Sequence, residues 1–517
     1  MRKNILKRMI IVVLMASLLF TCVGCVHTDD NNPNAVKLKV VVFDGGYGLQ
    51  VWERLADEYE KTNKDVSISV ETTIDAESDL NKISTGIHVA DLYTGTWAIN
   101  DRGRRGDFLP LNDVYESIPN GESLSIKEKL GGNAQMFAVS DGNYYALPAY
   151  QSLCGLLYNK DTLDEVLGEG NYTLPRTSDE LYSFCLDIKD DVYPFVYTHD
   201  LEADYGAYMA HYFYVQYAGY EAYKQNMNGN YLDAMGKWTF DSTGENIYAD
   251  PAKRVAFTET QKFLSSKNGF VPSDCKFMDY MDAQQYFWGL GYGSSTKKAA
   301  FMLNGDWMYK EMDFLKEVKD SDIRFMKFPV NSRIVSICKS VQDDAELVAL
   351  IDAIDVNGKT TPLVGNGYSV LQEDFDKIFE ARNMIFSNYV VQNWSIPATT
   401  KYPEQVKDFL VFLSSDYACN IYSNELYGDV SPFNNSISDG RVKNEFIASK
   451  LAILNENSKI VSWVWDTEKF QVWYLSAFNG FTLKAFNGEL LSELDKESNR
   501  TAFTRYYQEK LSSSGVN

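Results

Sequence analysis

Apolar positions in the first hundred residues alternate between two kinds of run. Residues 38–43 are continuously apolar except for Lys39, which predicts a buried strand. The turn DGGYG at 44–48 follows, and then Trp52, Leu55, Ala56 and Tyr59 recur at helical spacing until Asn63. Residues 66–70 alternate as a second strand, 75–84 are helical, and ADLY at 90–93 reads as a third strand entering a loop that carries Trp97. Strand, helix, strand, helix, strand predicts a parallel sheet covered by helices. Such sheets bind ligands beyond the carboxyl ends of their strands, so the loops holding Tyr47 and Trp97 are expected to face a cleft. Further on, DGNYYALPAY at 141–150 and GLLYNKDTL at 155–163 read as a hairpin and a strand entering a helix. LPRTSDELYSF at 174–184 repeats a helix-entry signal with Thr177 as N-cap. Between 205 and 223, Tyr205, Tyr208, Tyr212, Phe213, Gln216, Tyr217 and Tyr220 follow helical spacing, which fits a core stripe or the lining of a groove.

The N-terminus carries a different pattern. Arg2, Lys3, Lys7 and Arg8 precede an apolar-to-small run at 9–20, and CVGC follows at 22–25. The run is shorter than the ~20 residues of a membrane-crossing helix, so residues 1–24 read as a signal peptide. The site resembles a bacterial lipobox, with Cys22 where leucine is usual and Gly24 as the small residue before Cys25. Cys25 is the expected lipidation site, and residues 25–36 the linker of a protein tethered at the extracytoplasmic face of the cell membrane.

Composition narrows the classes of partner. The chain has 49 basic and 71 acidic residues, a net charge of −22, and loses four cations with the signal peptide. Nucleic acid is excluded as a partner, because the longest basic cluster is Arg102, Arg104 and Arg105, interrupted by Gly103. A chain of 517 residues exceeds what one core usually supports, so two or three units are expected. Cys154, Cys185, Cys275, Cys338 and Cys419 form no CxxC pair and read as small buried hydrophobes. The histidines at 27, 88, 199 and 211 form no HExxH, and neither GxSxG nor a P-loop occurs. A calcium-loop lookalike at 353–364 has Ala353 and Val364 where acidic ligands belong. No metal and no cofactor is expected.

Four stretches, in order, resemble the carbohydrate-binding class of extracellular solute-binding proteins that serve ABC importers. They are the strand and helix with Trp52 and Tyr59, YALPAYQSLCGLLYNKD at 145–161, AAFMLNGDWMYKEM at 299–312 followed by IRFMKFPV at 323–330, and QVKDFLVFLSSDYACNIYSNE at 405–425. The resemblance implies an α/β, two-lobe, type II periplasmic-binding-protein-like fold, each lobe a mostly parallel sheet flanked by helices. It implies one lobe from 37–149 plus 330–431 and another from 150–329 plus 432–517, with 331–362 as an insertion. A monomer that hands its cargo to permease subunits is implied too.

A pyranose has hydroxyls at its rim and apolar C–H patches on its faces, so its site needs flat aromatic surfaces beside acids and amides. The resemblance places Trp307, in the NGDW turn, as a stacking platform, with Asp306 beside it to accept from hydroxyls. Trp97 matches an aromatic-rich loop in which Asp101 and Arg102 resemble an acid and base that bind hydroxyls, at a spacing one residue longer. Tyr47, Tyr150 and Gln151 face the cleft by position, Tyr368 borders it in GNGYSV, and Tyr208 and Trp473 are candidate platforms of the second lobe. Trp307→Ala is expected to abolish binding while leaving melting largely intact. The residues leave open a clamp for a peptide, polyamine or acidic sugar, and a secreted glycan-cleaving enzyme built on two carboxylates.

Overall fold

A computed structural model describes residues 32–513 except 33, 45–47, 96–98, 132–133, 135–136, 140, 150–151, 199–204, 292–296, 316–319, 359–363, 366–367, 388–392, 426–430, 434–444, 455–456 and 463–480. The first apolar run forms the strand Val36–Phe43, which pairs in parallel with Val66–Thr73 on one side and Leu92–Gly95 on the other. Asn393–Ser395 runs antiparallel to Leu92–Gly95 and joins it to Leu147–Pro148, completing a five-stranded sheet. The helix Gln50–Thr62 buries Val51, Trp52, Leu55, Ala56 and Tyr59, the face its spacing predicts. Trp52 packs edge-on against Trp394 at 4.9 Å, and the Tyr59 hydroxyl donates to Asp408 Oδ2 at 2.6 Å. The distant segment 393–425 therefore returns to cover this first sheet.

A second, six-stranded sheet is built around Cys154–Asn159. Ala299–Gly305 and Ile323–Met326 run antiparallel to it, and Tyr193–Val196 lies parallel to Ala299–Gly305. Met384–Ser387 meets Cys154 through Phe386 and carries Lys459–Ser462 on its other side. Every residue of Cys154–Asn159 and Ala299–Gly305 is buried, as expected of strands covered on both faces. Each large side chain so buried contributes roughly 1.5–3 kcal/mol. The helix Ala207–Ala218 lies against this sheet and is buried continuously from Met209 to Gln216, so Tyr212, Phe213 and Gln216 are core residues. Thr177 caps Ser178–Ile188 as its position predicts, accepting from Glu180 N–H.

Strand pairing changes sheets between Ser387 and Asn393, not at residue 330. The segment 330–387, which the sequence reading groups with the first lobe, meets the second sheet through Met384–Ser387. Asn331 Nδ2 donates to Phe213 O at 3.1 Å, Ser332 N–H donates to Ser178 Oγ at 3.0 Å, and Tyr220 N–H donates to Glu380 Oε1 at 2.8 Å. These bonds fasten the segment to the helices of the second sheet. Ile334, Leu347, Leu350, Ile351, Phe375 and Ile378 give it a small core of its own, which includes the expected insertion. Further along the chain, Phe481 packs on Phe257 at 5.2 Å, again within the second body. Among the described residues no helix is long and apolar enough to cross a membrane.

Candidate functional site

The two sheets are linked at matching ends. Leu147–Pro148 leaves the first sheet at the carboxyl edge of Leu92–Gly95, because Pro148 lies opposite Asn393 and Asn393 opposite Gly95. The chain enters the second sheet at Cys154, which lies opposite Gly305, the carboxyl end of Ala299–Gly305. The return link leaves from Met384–Ser387 beside Cys154 and reaches Asn393. Both links therefore join carboxyl edges, the place where α/β sheets bind ligands.

At that edge of the second sheet, Gly305 ends the strand and Trp307 opens the short helix Trp307–Glu311. The Trp307 ring lies over the Gly305 backbone so closely that a Cβ there would sit 2.1 Å from the ring. Only glycine fits. Trp307 is 7 % exposed, and its ring meets Tyr205 at 5.8 Å, with Tyr205 in turn 5.4 Å from Tyr208. Tyr205 and Tyr208 are half-buried, so this aromatic cluster keeps accessible surface beside the largely covered indole. Burial raises the Tyr205 phenol well above its ordinary range, the charge of Glu311 adds to the rise, and a hydrogen bond with Trp307 opposes it. Burial likewise raises the Tyr208 phenol.

Two of the sequence-selected polar residues are engaged in the fold. The Asp306 carboxylate is buried, accepts from Leu153 N–H at 3.0 Å through Oδ2 and forms an ion pair with buried Lys450. Arg102, in the helix Ile99–Arg104, donates to Leu80 O at 2.8 Å, to Ser84 Oγ and to Asn81 Oδ1 at 3.0 Å. Its guanidinium ties down the helix Ala76–Ser84. Asp101 lies in the same short helix, and Tyr368 in a two-stranded hairpin with Val364–Gly365. Tyr47, Trp97, Tyr150, Gln151, Trp473 and Cys25 lie outside the described residues.

Two acids emerge that sequence reasoning did not select. Glu311 stands four residues after Trp307 on one helix, hence on the same face. Its Oε2 accepts from Gln284 Nε2 at 2.7 Å. Burial raises its carboxyl above the usual range, the Gln284 bond opposes the rise, and the charge of Asp44 adds to it. Asp44 directly follows Val36–Phe43, so it belongs to the carboxyl edge of the first sheet. The charge of an acid at the edge of the first sheet is thus felt by one at the edge of the second. The helical i, i+4 relation to Trp307 was the signal for Glu311. The turn DGGYG was the signal for Asp44. Among the described residues no group of three or more His, Cys, Asp or Glu side chains is placed to hold a metal ion.

No curated protein matches the chain in sequence. Several solved structures share its fold. RafE from Streptococcus pneumoniae, in its apo form, is 15 % identical over 93 % of this chain and 99 % of its own, with a TM-score of 0.60. A chitin oligosaccharide binding protein is 16 % identical over 93 % of this chain and 100 % of its own, with a TM-score of 0.58. The GacH receptor of Streptomyces glaucescens, solved unliganded and with acarbose, is 15 % identical over 92 % and 99 %, with a TM-score of 0.57. The two sheets and the links between them are those of the α/β, two-lobe, type II periplasmic-binding-protein fold, with the ligand cleft between the lobes. The family model for bacterial extracellular solute-binding proteins matches residues 46–418, and the chain belongs to that family.

Proposed function

We propose that this chain captures a sugar or oligosaccharide in the gap between the carboxyl edges of its two sheets and delivers it to an ABC import permease. The observation that carries the reading is the aromatic cluster of Trp307, Tyr205 and Tyr208, with Glu311 on the Trp307 helix, at the carboxyl edge of the second sheet. Rings supply flat apolar surface for the C–H faces of a sugar, and carboxylates accept from its hydroxyls. RafE in complex with raffinose, the chitin oligosaccharide binding protein and GacH with acarbose are relatives in fold whose ligands are sugars or sugar-like. Tyr47, Trp97, Tyr150, Gln151, Tyr368 and Trp473 complete the proposed lining. Asp101 adds a further acid at the first edge.

On this reading one lobe comprises 37–149 with 393–431, and the other 150–387 with 432–517. Ligand contacts made only in the closed form shift the population from open to closed, and the permease reads closure. Cys25 carries the lipid that keeps the protein at the extracytoplasmic face, and the protein acts as a monomer without catalysis. A thermal-shift screen over raffinose, chitin oligosaccharides, maltose oligomers and galactose tests the cargo. Stabilisation by at least one sugar is expected, and none by any sugar rejects the reading.

A second reading follows from one observation. The charge of Asp44 acts on Glu311 beside aromatic faces, a setting that also suits an ammonium group. Spermidine and an amino sugar belong in the same screen. Stabilisation by these alone would favour a cationic cargo.

A further inference from the structure

We propose that Asp306 and Lys450 are positioning residues, which lock the Trp307 ring and the link between the lobes into one rigid unit. Three contacts converge there. The Asp306 N–H donates to Leu153 O at 3.0 Å, and the Leu153 N–H returns a bond to Asp306 Oδ2 at 3.0 Å. The same Oδ2 pairs with Lys450, which arrives from the helix Glu445–Ile453, and the two side chains are 3 % and 2 % exposed. Leu153 is the last residue before Cys154, where the chain coming from the first sheet enters the second.

Sequence neighbours make this tie matter. Asp306 directly precedes Trp307, and the Trp307 ring presses on Gly305, whose strand partner is Cys154. The ring therefore rests on the strand end, and the residue just before it in the chain grips the link. Beside it, the Tyr212 hydroxyl donates to Cys154 O at 2.7 Å and accepts from Phe386 N–H at 3.1 Å, so it fastens both links at their roots. A buried ion pair is a poor device for stability, because apolar residues of similar volume often do as well or better. Its best attested use is to fix register. Here the register is that of Trp307 against the link, so a ring displaced by cargo carries the link with it.

The purpose of the tie rests on the cargo reading above; the tie itself is tested without any ligand. The full mature chain is labelled with 5-fluorotryptophan, and the Trp307 resonance is assigned by its loss in Trp307→Phe. Asp306→Asn, Lys450→Met and the double variant Asp306→Leu with Lys450→Met are compared by melting, by hydrogen exchange at Leu153 and by that resonance. Each single variant is expected to melt lower and to exchange Leu153 about tenfold faster through local opening. The double variant is expected to recover melting but not Leu153 protection or the native Trp307 resonance. Native protection and a native resonance in the double variant would overturn the proposal and leave a packing role alone. If the tie holds and no sugar binds the wild-type chain, the cargo reading fails by itself.

Discussion

The two edges that face the gap are built differently. On the first sheet, the cation chosen from sequence, Arg102, turns to Leu80, Ser84 and Asn81 and is consumed in holding a neighbouring helix. On the second sheet, Asp306 is likewise consumed by Leu153 and Lys450, yet that engagement sets Trp307, Tyr205 and Glu311 at the edge. A charged residue beside a cleft is thus more informative for what it anchors than for the hydroxyls it might have met. The second edge carries the aromatic cluster; the first carries Asp44.

The largest effect is expected from Trp307→Ala. The ring is 93 % covered, so the variant loses about 3–5 kcal/mol of stability as well as ligand binding. This revises the expectation that melting would stay largely intact, because the indole is packed as well as placed. Denaturant unfolding and calorimetry measure the two losses. Binding that survives the substitution would break the contrast between the edges.

Next in size is a buried charge away from that wall. Lys253 is fully buried, donates to Ile247 O at 2.6 Å and lies over the rings of Tyr248 and Phe503. Burial pushes its ammonium down to about 7, with the charge of Asp250 opposing. Between that value and the ordinary 10.5, the unfolded chain holds a proton that the folded chain does not, so this group makes stability rise with pH across the window. Lys253→Met removes the rise, and its melting advantage over wild type is expected to shrink from pH ~7 to ~10 by about 1 kcal/mol per unit. A constant difference across that range would contradict the assignment.

Arg102→Ala is expected to cost about 1.5–3 kcal/mol of stability, the range for hydrogen bonds made by a charged group, with affinity for the cargo unchanged. A lost affinity with unchanged melting would move Arg102 back to the cleft. The smallest effect is that of Glu311→Gln, which keeps the shape and removes the charge. A neutral sugar should lose about 1 kcal/mol of affinity, whereas a cationic cargo should lose several-fold more.

Much of this was legible in the chain. The period of Trp52, Leu55, Ala56 and Tyr59 gave the first helix and its buried face. The continuous apolar run at 38–43 gave a central strand with both neighbours parallel. NGDW was legible as a turn through the family resemblance, and it is the point where a strand ends and a short helix begins. What was not legible was long-range. Nothing local in 330–387 states that its strand pairs with Cys154 while 393–395, six residues on, pairs with Leu92–Gly95. The fates of Asp306 and Arg102 were hidden for the same reason, since Lys450 and Leu80 lie 144 and 22 residues away in sequence. Glu311 was within reach, as an acid one helical turn from the predicted platform.

The central claim is that two α/β bodies, linked between their sheets, close on a sugar held between their carboxyl edges. Small-angle X-ray scattering of the protein, with and without a saturating amount of the tightest-binding sugar of the panel, tests it most directly. The account predicts a smaller radius of gyration with sugar and the wild-type open value for Trp307→Ala under the same conditions. An unchanged radius at proven saturation would contradict it.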